Sequence, residues 1–245
     1  MIGIMDSGLG GIVTLHHILK YVKDTSFVCV ADQANAPYGE KSIEELEDIA
    51  RKHLLWFQSK GITTVVVACN TLCSTVIPKL KEEFVDMEIV DIISLTCNAL
   101  KDESISSLLL LATKRSIESK VYEQSIQSLF PNCTIYPVVP SLWVPSIENQ
   151  VDEATLDTVV KDVVVDYVGK VDAVLLGCTH YPLVKANIEK YLPVKMYDSC
   201  NAIVDAMVHE GDVSPTVHIY TSGDPVVTKK QVYDLLQMDV EVLKL

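Results

Sequence analysis

The feature that most constrains this chain is a series of short, apolar segments, each followed by small or polar residues and then by a helical pattern. The segments are Ile2 to Met5, Phe27 to Ala31, Thr64 to Cys69, Glu88 to Ile93, Ser107 to Thr113, Thr134 to Val139, Ala173 to Cys178 and Val194 to Asp198. Several are apolar throughout instead of alternating, which is how a strand reads when helices cover both faces of a parallel sheet. Between them, Ser42-Ile43-Glu44-Glu45 has capping-box form ahead of a helix reaching Lys60. Thr155 to Val168 repeats Leu156, Val159, Val160, Val163, Val164, Tyr167 and Val168 at helical spacing. The fold class predicted from this alternation is α/β.

A second layer of order lies on top of the first. IGIM followed by Asp6-Ser7 has a counterpart in LLLLAT followed by Lys114-Arg115-Ser116; FVCVADQ matches TIYPVVP, and VVVACNT matches VLLGCTH. Cys69 and Cys178 fall at equivalent strand ends, 109 residues apart. The repeat predicts two similar domains, each a largely parallel sheet flanked by helices. Functional sites in such sheets lie at the carboxyl ends of the strands, so the active site is expected in the cleft between the domains. Residues 1–94 with 199–245 are expected to form a discontinuous first domain closed by the C-terminal segment, and residues 95–198 the second. In the closing segment a helix carrying Ala202, Ile203, Ala206 and Met207 leads to Gly211, then an apolar run VHIYT, a turn at Ser222 to Pro225 and a last helix over Lys229 to Gln237.

Charge narrows the partners. With 20 Lys and Arg against 33 Asp and Glu, the chain of 245 residues carries a net charge of −13, which argues against a nucleic acid or an anionic membrane surface. A small anionic substrate stays compatible, because backbone N–H groups at helix starts can hold a carboxylate. No apolar run approaches a membrane span, and Asp6 arrives before any basic leader region, so a cytoplasmic location is expected. Seven dispersed cysteines fit a reducing compartment better than a disulfide scaffold.

A lone buried cysteine is ordinarily a core filler, the reading given to Cys29 and Cys97. Cys69 and Cys178 differ, because Asn70, Thr71, Thr179 and His180 put hydrogen-bonding groups beside the sulfur at an expected helix start, a setting that lowers a thiol pKa. Neither Cys69-x-x-x-Cys73 nor Cys178-x-His180 completes a zinc set, and no metal or cofactor is expected. A Cys-His hydrolase or a silent binding protein would leave the second matched cysteine unexplained. Two thiols across a cleft suit chemistry in which one removes a proton and the other delivers one from the opposite face. Asp6-Ser7-Gly8-Leu9-Gly10-Gly11 is a glycine-rich strand-to-helix turn that fits neither a dinucleotide fingerprint nor a P-loop. Asp6 suits an ammonium or the proton traffic of a nearby thiol, or is a plain turn residue. Asp32 to Gly39 reads as a strand-end loop with Pro37 and Gly39 shaping an anion nest. Glu148 is compatible with a surface residue and with a pocket carboxylate adjusting His180.

DSGLGG at Asp6 to Gly11, PYG at Pro37 to Gly39, ACNT at Ala68 to Thr71, LGCTHYPL at Leu176 to Leu183, YDS at Tyr197 to Ser199 and YTSGDP at Tyr220 to Pro225 together closely resemble the glutamate racemase family over nearly the whole chain. The resemblance implies cofactor-independent interconversion of L- and D-glutamate, supplying D-glutamate for peptidoglycan. It matches Cys69 to the thiol that takes the α-proton from D-glutamate and Cys178 to the one acting on L-glutamate. Asp6 is similar to the partner of the first thiol, His180 and Glu148 to the helpers of the second. Ser7, Pro37, Tyr38, Gly39, Asn70, Thr71 and Thr179 fall on substrate-binding positions, with Asp6 and His180 also at the substrate. Two departures stand out: Val138-Val139-Pro140 where many members have Ala-Cys-Pro, and Ser116 where a second threonine is expected. The nearest alternative is an aspartate or other two-cysteine amino-acid racemase. A homodimer is left open.

Overall fold

A computed structural model describes residues 1–207 and 216–245; Gly211, expected to end a helix, lies outside them. Among these described residues, ten strands form two sheets. The six-stranded sheet contains β1 (Ile2–Asp6), β2 (Phe27–Ala31), β3 (Thr64–Val67), β4 (Glu88–Asp91), β9 (Val217–Thr221) and β10 (Val242–Lys244) in the order β10-β9-β2-β1-β3-β4. The four-stranded sheet contains β5 (Ser107–Ala112), β6 (Thr134–Val138), β7 (Ala173–Gly177) and β8 (Lys195–Asp198) in the order β6-β5-β7-β8. Every pairing is parallel. The spatial order β2-β1-β3-β4 recurs as β6-β5-β7-β8, so the sequence repeat is a topological repeat, with β9 and β10 added beyond β2.

Helices carry the chain between strands as parallel pairing requires. In the first half these are α1 (Leu9–Tyr21), α2 (Ile43–Ser59), α3 (Asn70–Thr75), α4 (Ile77–Glu83) and α5 (Ile92–Asn98). In the second they are α6 (Lys114–Glu118), α7 (Val121–Leu129), α8 (Trp143–Glu148), α9 (Glu153–Val164) and α10 (Lys185–Tyr191), followed by α11 (Ser199–Met207) and α12 (Pro225–Leu236). The capping box of α2 is reciprocal: Glu45 N donates to Ser42 Oγ at 3.2 Å and Ser42 N to Glu45 Oε2 at 2.8 Å. Together these bonds satisfy two helix-start donors that would otherwise rely on water.

Alternation along β5 and β7 divides the interior. Leu108, Leu110, Ala112, Ala173 and Leu175 join the large core that includes the first sheet, whereas Leu109, Leu111, Val174 and Leu176 face a second cluster with Trp143 and Tyr181. The halves therefore share continuous apolar packing behind the cleft, where α5 lies against α7 and α11. A fully buried Leu contributes about 1.5 to 3 kcal/mol relative to exposure, so this shared core resists separation of the halves.

Some boundaries differ from the sequence expectation. Ile92 and Ile93 open α5 instead of ending β4, because the Asp91 carboxylate accepts from Ser94 N at 3.0 Å and caps the helix. The last helix begins at Pro225, not Lys229, since Asp224 Oδ1 accepts from Val226 N at 2.8 Å. The α9 helix stops at Val164 and the 3-10 turn Val165–Tyr167 completes the stripe, leaving Val168 54% exposed.

Candidate active site

Both cysteines stand at carboxyl ends of strands, on the wall of one cavity of about 170 Å³ between the halves. Cys69 follows β3 and is the N-cap of α3, and Cys178 follows β7; each is buried. The volume lies below the roughly 300 to 1,000 Å³ typical of drug-sized ligands and suits a small molecule. Asp6 and Ser7 after β1, the Pro37-Tyr38-Gly39 loop after β2, Asn70 and Thr71 beside Cys69, and Thr179 and His180 beside Cys178 line the same cavity. Residues spread over the sequence from position 6 to position 180 thus converge on one space.

The glycine-rich turn brings the halves together. Asp6 Oδ2 accepts from Gly11 N at 2.8 Å and Gly8 N at 3.3 Å, while Glu148 Oε1 from the other half accepts from Leu9 N at 3.1 Å. The positive end of α1 is therefore covered by two carboxylates, which leaves no room for a phosphate and complements the helix dipole. Gly10 is required by close approach: a Cβ there would lie 2.0 Å from Thr179 Oγ1 and 2.9 Å from His180 Nδ1.

On the Cys178 side, His180 Nδ1 lies 3.8 Å from Sγ and Nε2 lies 2.6 Å from Glu148 Oε1. Burial alone would lower the His180 pKa, but the Cys178 sulfur and the Glu148 carboxylate outweigh it and hold the imidazole well above its usual value. Burial pushes Glu148 the opposite way, yet its bond to His180, helped by Leu9 N–H and Gln33, keeps it below the usual carboxylate range. Glu148 itself does not line the thiol cavity. It stands behind His180 on a neighbouring cavity of about 450 Å³ that also touches Ser7 and Pro37.

The Cys69 side is organised differently. Burial, then the Asp6 charge, raise the Cys69 thiol well above its ordinary pKa, and the Leu72 N–H at the start of α3 only partly opposes them. The expectation that a helix start lowers this thiol is thereby reversed, because a six-residue helix contributes less than complete burial. Burial also raises Asp6, against the pull of His180 and the N–H groups of Gly11, Gly8 and Ser7. Asp6 Oδ1 and Asn70 Nδ2 are buried with no protein partner, an acceptor and a donor both belonging to cavity-lining residues. The Asn70 amide is held by Tyr122, whose hydroxyl donates to its Oδ1. Tyr38 is fixed likewise, its hydroxyl donating to Asp32 Oδ2 at 2.6 Å.

Sequence reading missed Glu40, Thr113 and Lys114, all on the cavity wall. Thr71 Oγ1 and Thr113 Oγ1 lie 2.9 Å apart across the halves, and Thr113 Oγ1 is 3.0 Å from Ser116 Oγ, so the shortened Ser116 keeps its hydroxyl in the chain of contacts. The internal repeat carried the signal for Thr113, since the end of β5 is the counterpart of the end of β1. Val139, the departure from the family pattern, lines an apolar wall with Pro140, Val144 and Pro145. Among the described residues no group of three or more His, Cys, Asp or Glu side chains is placed to hold a metal.

Residues 2–207 match the model of the Asp/Glu/hydantoin racemase family. The chain belongs to this family. A glutamate racemase 2 from Caldanaerobacter subterraneus subsp. tengcongensis is 33% identical over 194 residues, 77% of this chain and 71% of its own. The fold superposes on a glutamate racemase isoform from Bacillus anthracis with a TM-score of 0.91 at 23% identity, covering 100% of this chain and 97% of that one. It also superposes on a glutamate racemase from Francisella tularensis solved with D-glutamate, TM-score 0.85 at 24% identity, covering 99% and 95%. This racemase is accordingly an isomerase with the α/β, two-sheet fold of those enzymes. No helix among the described residues is long and apolar enough to cross a membrane.

Proposed function

We propose that the protein is a glutamate racemase that interconverts L- and D-glutamate without a cofactor, using Cys69 and Cys178 on opposite faces of the substrate α-carbon. The observation that carries this reading is the convergence of both strand-end thiols on one small cavity. Starting from L-glutamate, the Cys178 thiolate takes the α-proton and the Cys69 S–H protonates the opposite face. The product is D-glutamate, with Cys178 left as thiol and Cys69 as thiolate; the D-to-L direction runs the same exchange backwards.

The helpers follow the two sides of the cavity. His180, held by Glu148, exchanges a proton with Cys178, and Asp6 does so with Cys69. Asp6 Oδ1 suits the substrate ammonium and Asn70 Nδ2 a carboxylate, which pairs the two unpartnered groups with an amino acid. Ser7, Thr71, Thr179 and the Pro37-Tyr38-Gly39 loop complete the binding set. Residues 1–94 with 199–245, and 95–198, are the corresponding domains. D-Glutamate made this way would serve peptidoglycan assembly in the cytoplasm.

The test is loss of optical rotation from each glutamate enantiomer, without pyridoxal phosphate and after exhaustive chelation. Decay to zero rotation from both enantiomers is expected. A protein inert toward glutamate but active on aspartate would transfer the reading to an aspartate racemase. Activity lost on chelation and restored by zinc would overturn the cofactor-free mechanism.

A further inference from the structure

Glu148 is the last residue of α8, so its backbone carbonyl is one of the helix-end acceptors with no intrahelical partner. Gln231 on α12 donates to that carbonyl from Nε2 at 3.2 Å, and its Oε1 accepts from Gln33 Nε2 at 3.0 Å. The Gln33 side chain also lines the same neighbouring cavity as Glu148, and its amide helps hold that carboxylate below the usual range. Its amide orientation is fixed from the other end: Thr221 Oγ1 donates to Gln33 Oε1 at 3.1 Å, and the Thr228 hydroxyl contacts the same oxygen. Thr221 and Thr228 are buried, and Gly223 packs against Gln33 so closely that an added Cβ would lie 3.2 Å from Gln33 Cβ. With two hydroxyls on its oxygen, the amide can present only its NH2 toward Gln231.

We propose that Gln33 and Gln231 are positioning residues for the Cys178 half of the reaction: they tie the C-terminal segment, through β9 and α12, to Glu148 and so fix His180 against Cys178. This rests on the glutamate racemase reading above. Glu148 and His180 belong to loops and short helices around the second sheet, whereas Gln33 and Gln231 belong to elements of the first. The bridge makes the geometry of one thiol's helper depend on the far end of the chain. It also gives α12 a role besides packing, since Gln231 reaches the back of the site from a half-buried position. Neither glutamine lines the thiol cavity, so each acts through Glu148 and not on the substrate.

A double-mutant cycle separates this role from general support of the fold. Gln33→Leu removes the amide and Gln231→Ala the carbonyl contact; each is measured alone and combined with Glu148→Gln. In the wild-type background each is expected to lower kcat with glutamate, Gln33→Leu by about tenfold and Gln231→Ala by about threefold, with KM moving less than about twofold. In the Glu148→Gln background the same changes are expected to cost less than about twofold, because the group they position is already altered. Gln231→Ala, on the half-buried face of α12, carries the test should Gln33→Leu fail to fold. Equal losses in both backgrounds, or unchanged kcat in the wild-type background, would overturn the proposal. Wild-type protein that fails to racemise glutamate would instead strike the functional reading.

Discussion

Glu148 and His180 meet with Oε1 and Nε2 2.6 Å apart, and the same carboxylate oxygen accepts the first free N–H of α1 from Leu9 at 3.1 Å. One oxygen thus holds the imidazole beside Cys178 and fastens the glycine-rich turn of the opposite half. The pair is a structural tie and, in the proposed mechanism, a helper of the chemistry, and its stability contribution depends on pH with a calculable sign.

His180 is raised above 6.5 in the fold, so its contribution is fully present below that pH and is lost as pH rises through the folded value. Glu148 is lowered from 4.5, so its contribution is present above that pH and lost as pH falls through the folded value. The difference in Tm between wild type and Glu148→Gln should therefore be largest between about pH 4.5 and 6.5 and shrink on either side. Thermal melts across pH 3.5 to 9 check this, and a difference that grows steadily above pH 7 would contradict it.

Gly10 and Gly61 predict similar losses of stability but different activities for the same substitution. An alanine Cβ at Gly10 would meet Thr179 Oγ1 at 2.0 Å, so Gly10→Ala should cost about 1 to 3 kcal/mol through overpacking and displace Thr179 and His180, with large loss of turnover. Gly61 has a φ of +72° and open space around it, so Gly61→Ala should cost about 1 to 2 kcal/mol of backbone strain and leave kcat unchanged. Denaturant melts paired with activity on each variant distinguish the two. Equal activity in both would show that the approach of α1 to Thr179 has no bearing on the site.

The fold was legible wherever burial was complete. The all-buried strands β2 and β7 read as unbroken apolar runs, and the matched ends of β3 and β7 exposed the repeat. By contrast β10, three residues at the sheet edge with Lys244 exposed, has no such signature and exists through its pairing to β9. In the site, motif residues were readable because each follows a strand. Lys114 was not, because an exposed lysine acquires meaning only from the cavity beside it. The reversed pKa of Cys69 was also beyond the sequence, since helix-start chemistry is local while burial is a property of the whole packing.

Substrate anchoring by hydroxyl and backbone groups, not by arginine, predicts unequal effects at Thr71 and Arg115. Arg115 Nε donates to Lys41 O at 2.9 Å and its guanidinium reaches Glu118, outside the cavity wall, whereas Thr71 lines it. Hydrogen bonds to a charged group are worth about 1.5 to 3 kcal/mol, so Thr71→Val should lower kcat/KM by roughly ten- to a hundredfold. Arg115→Ala should change it by less than about threefold. Steady-state kinetics on both variants decide the matter, and a large loss in Arg115→Ala with an unchanged Thr71→Val would reverse the assignment.

The claim that two thiols work on opposite faces is tested most directly by racemisation in D2O, started from each pure enantiomer and stopped at early conversion, in wild type, Cys69→Ser and Cys178→Ser. A proton taken by one sulfur and delivered by another predicts deuterium at the α-carbon of the product and predominantly protium in the recovered substrate, from either enantiomer. Each serine variant should lose racemisation in both directions, because the equilibrium constant between enantiomers is fixed at one. Deuterium appearing equally in recovered substrate and product of the wild type, or racemisation near the wild-type rate in either serine variant, would contradict the two-thiol account.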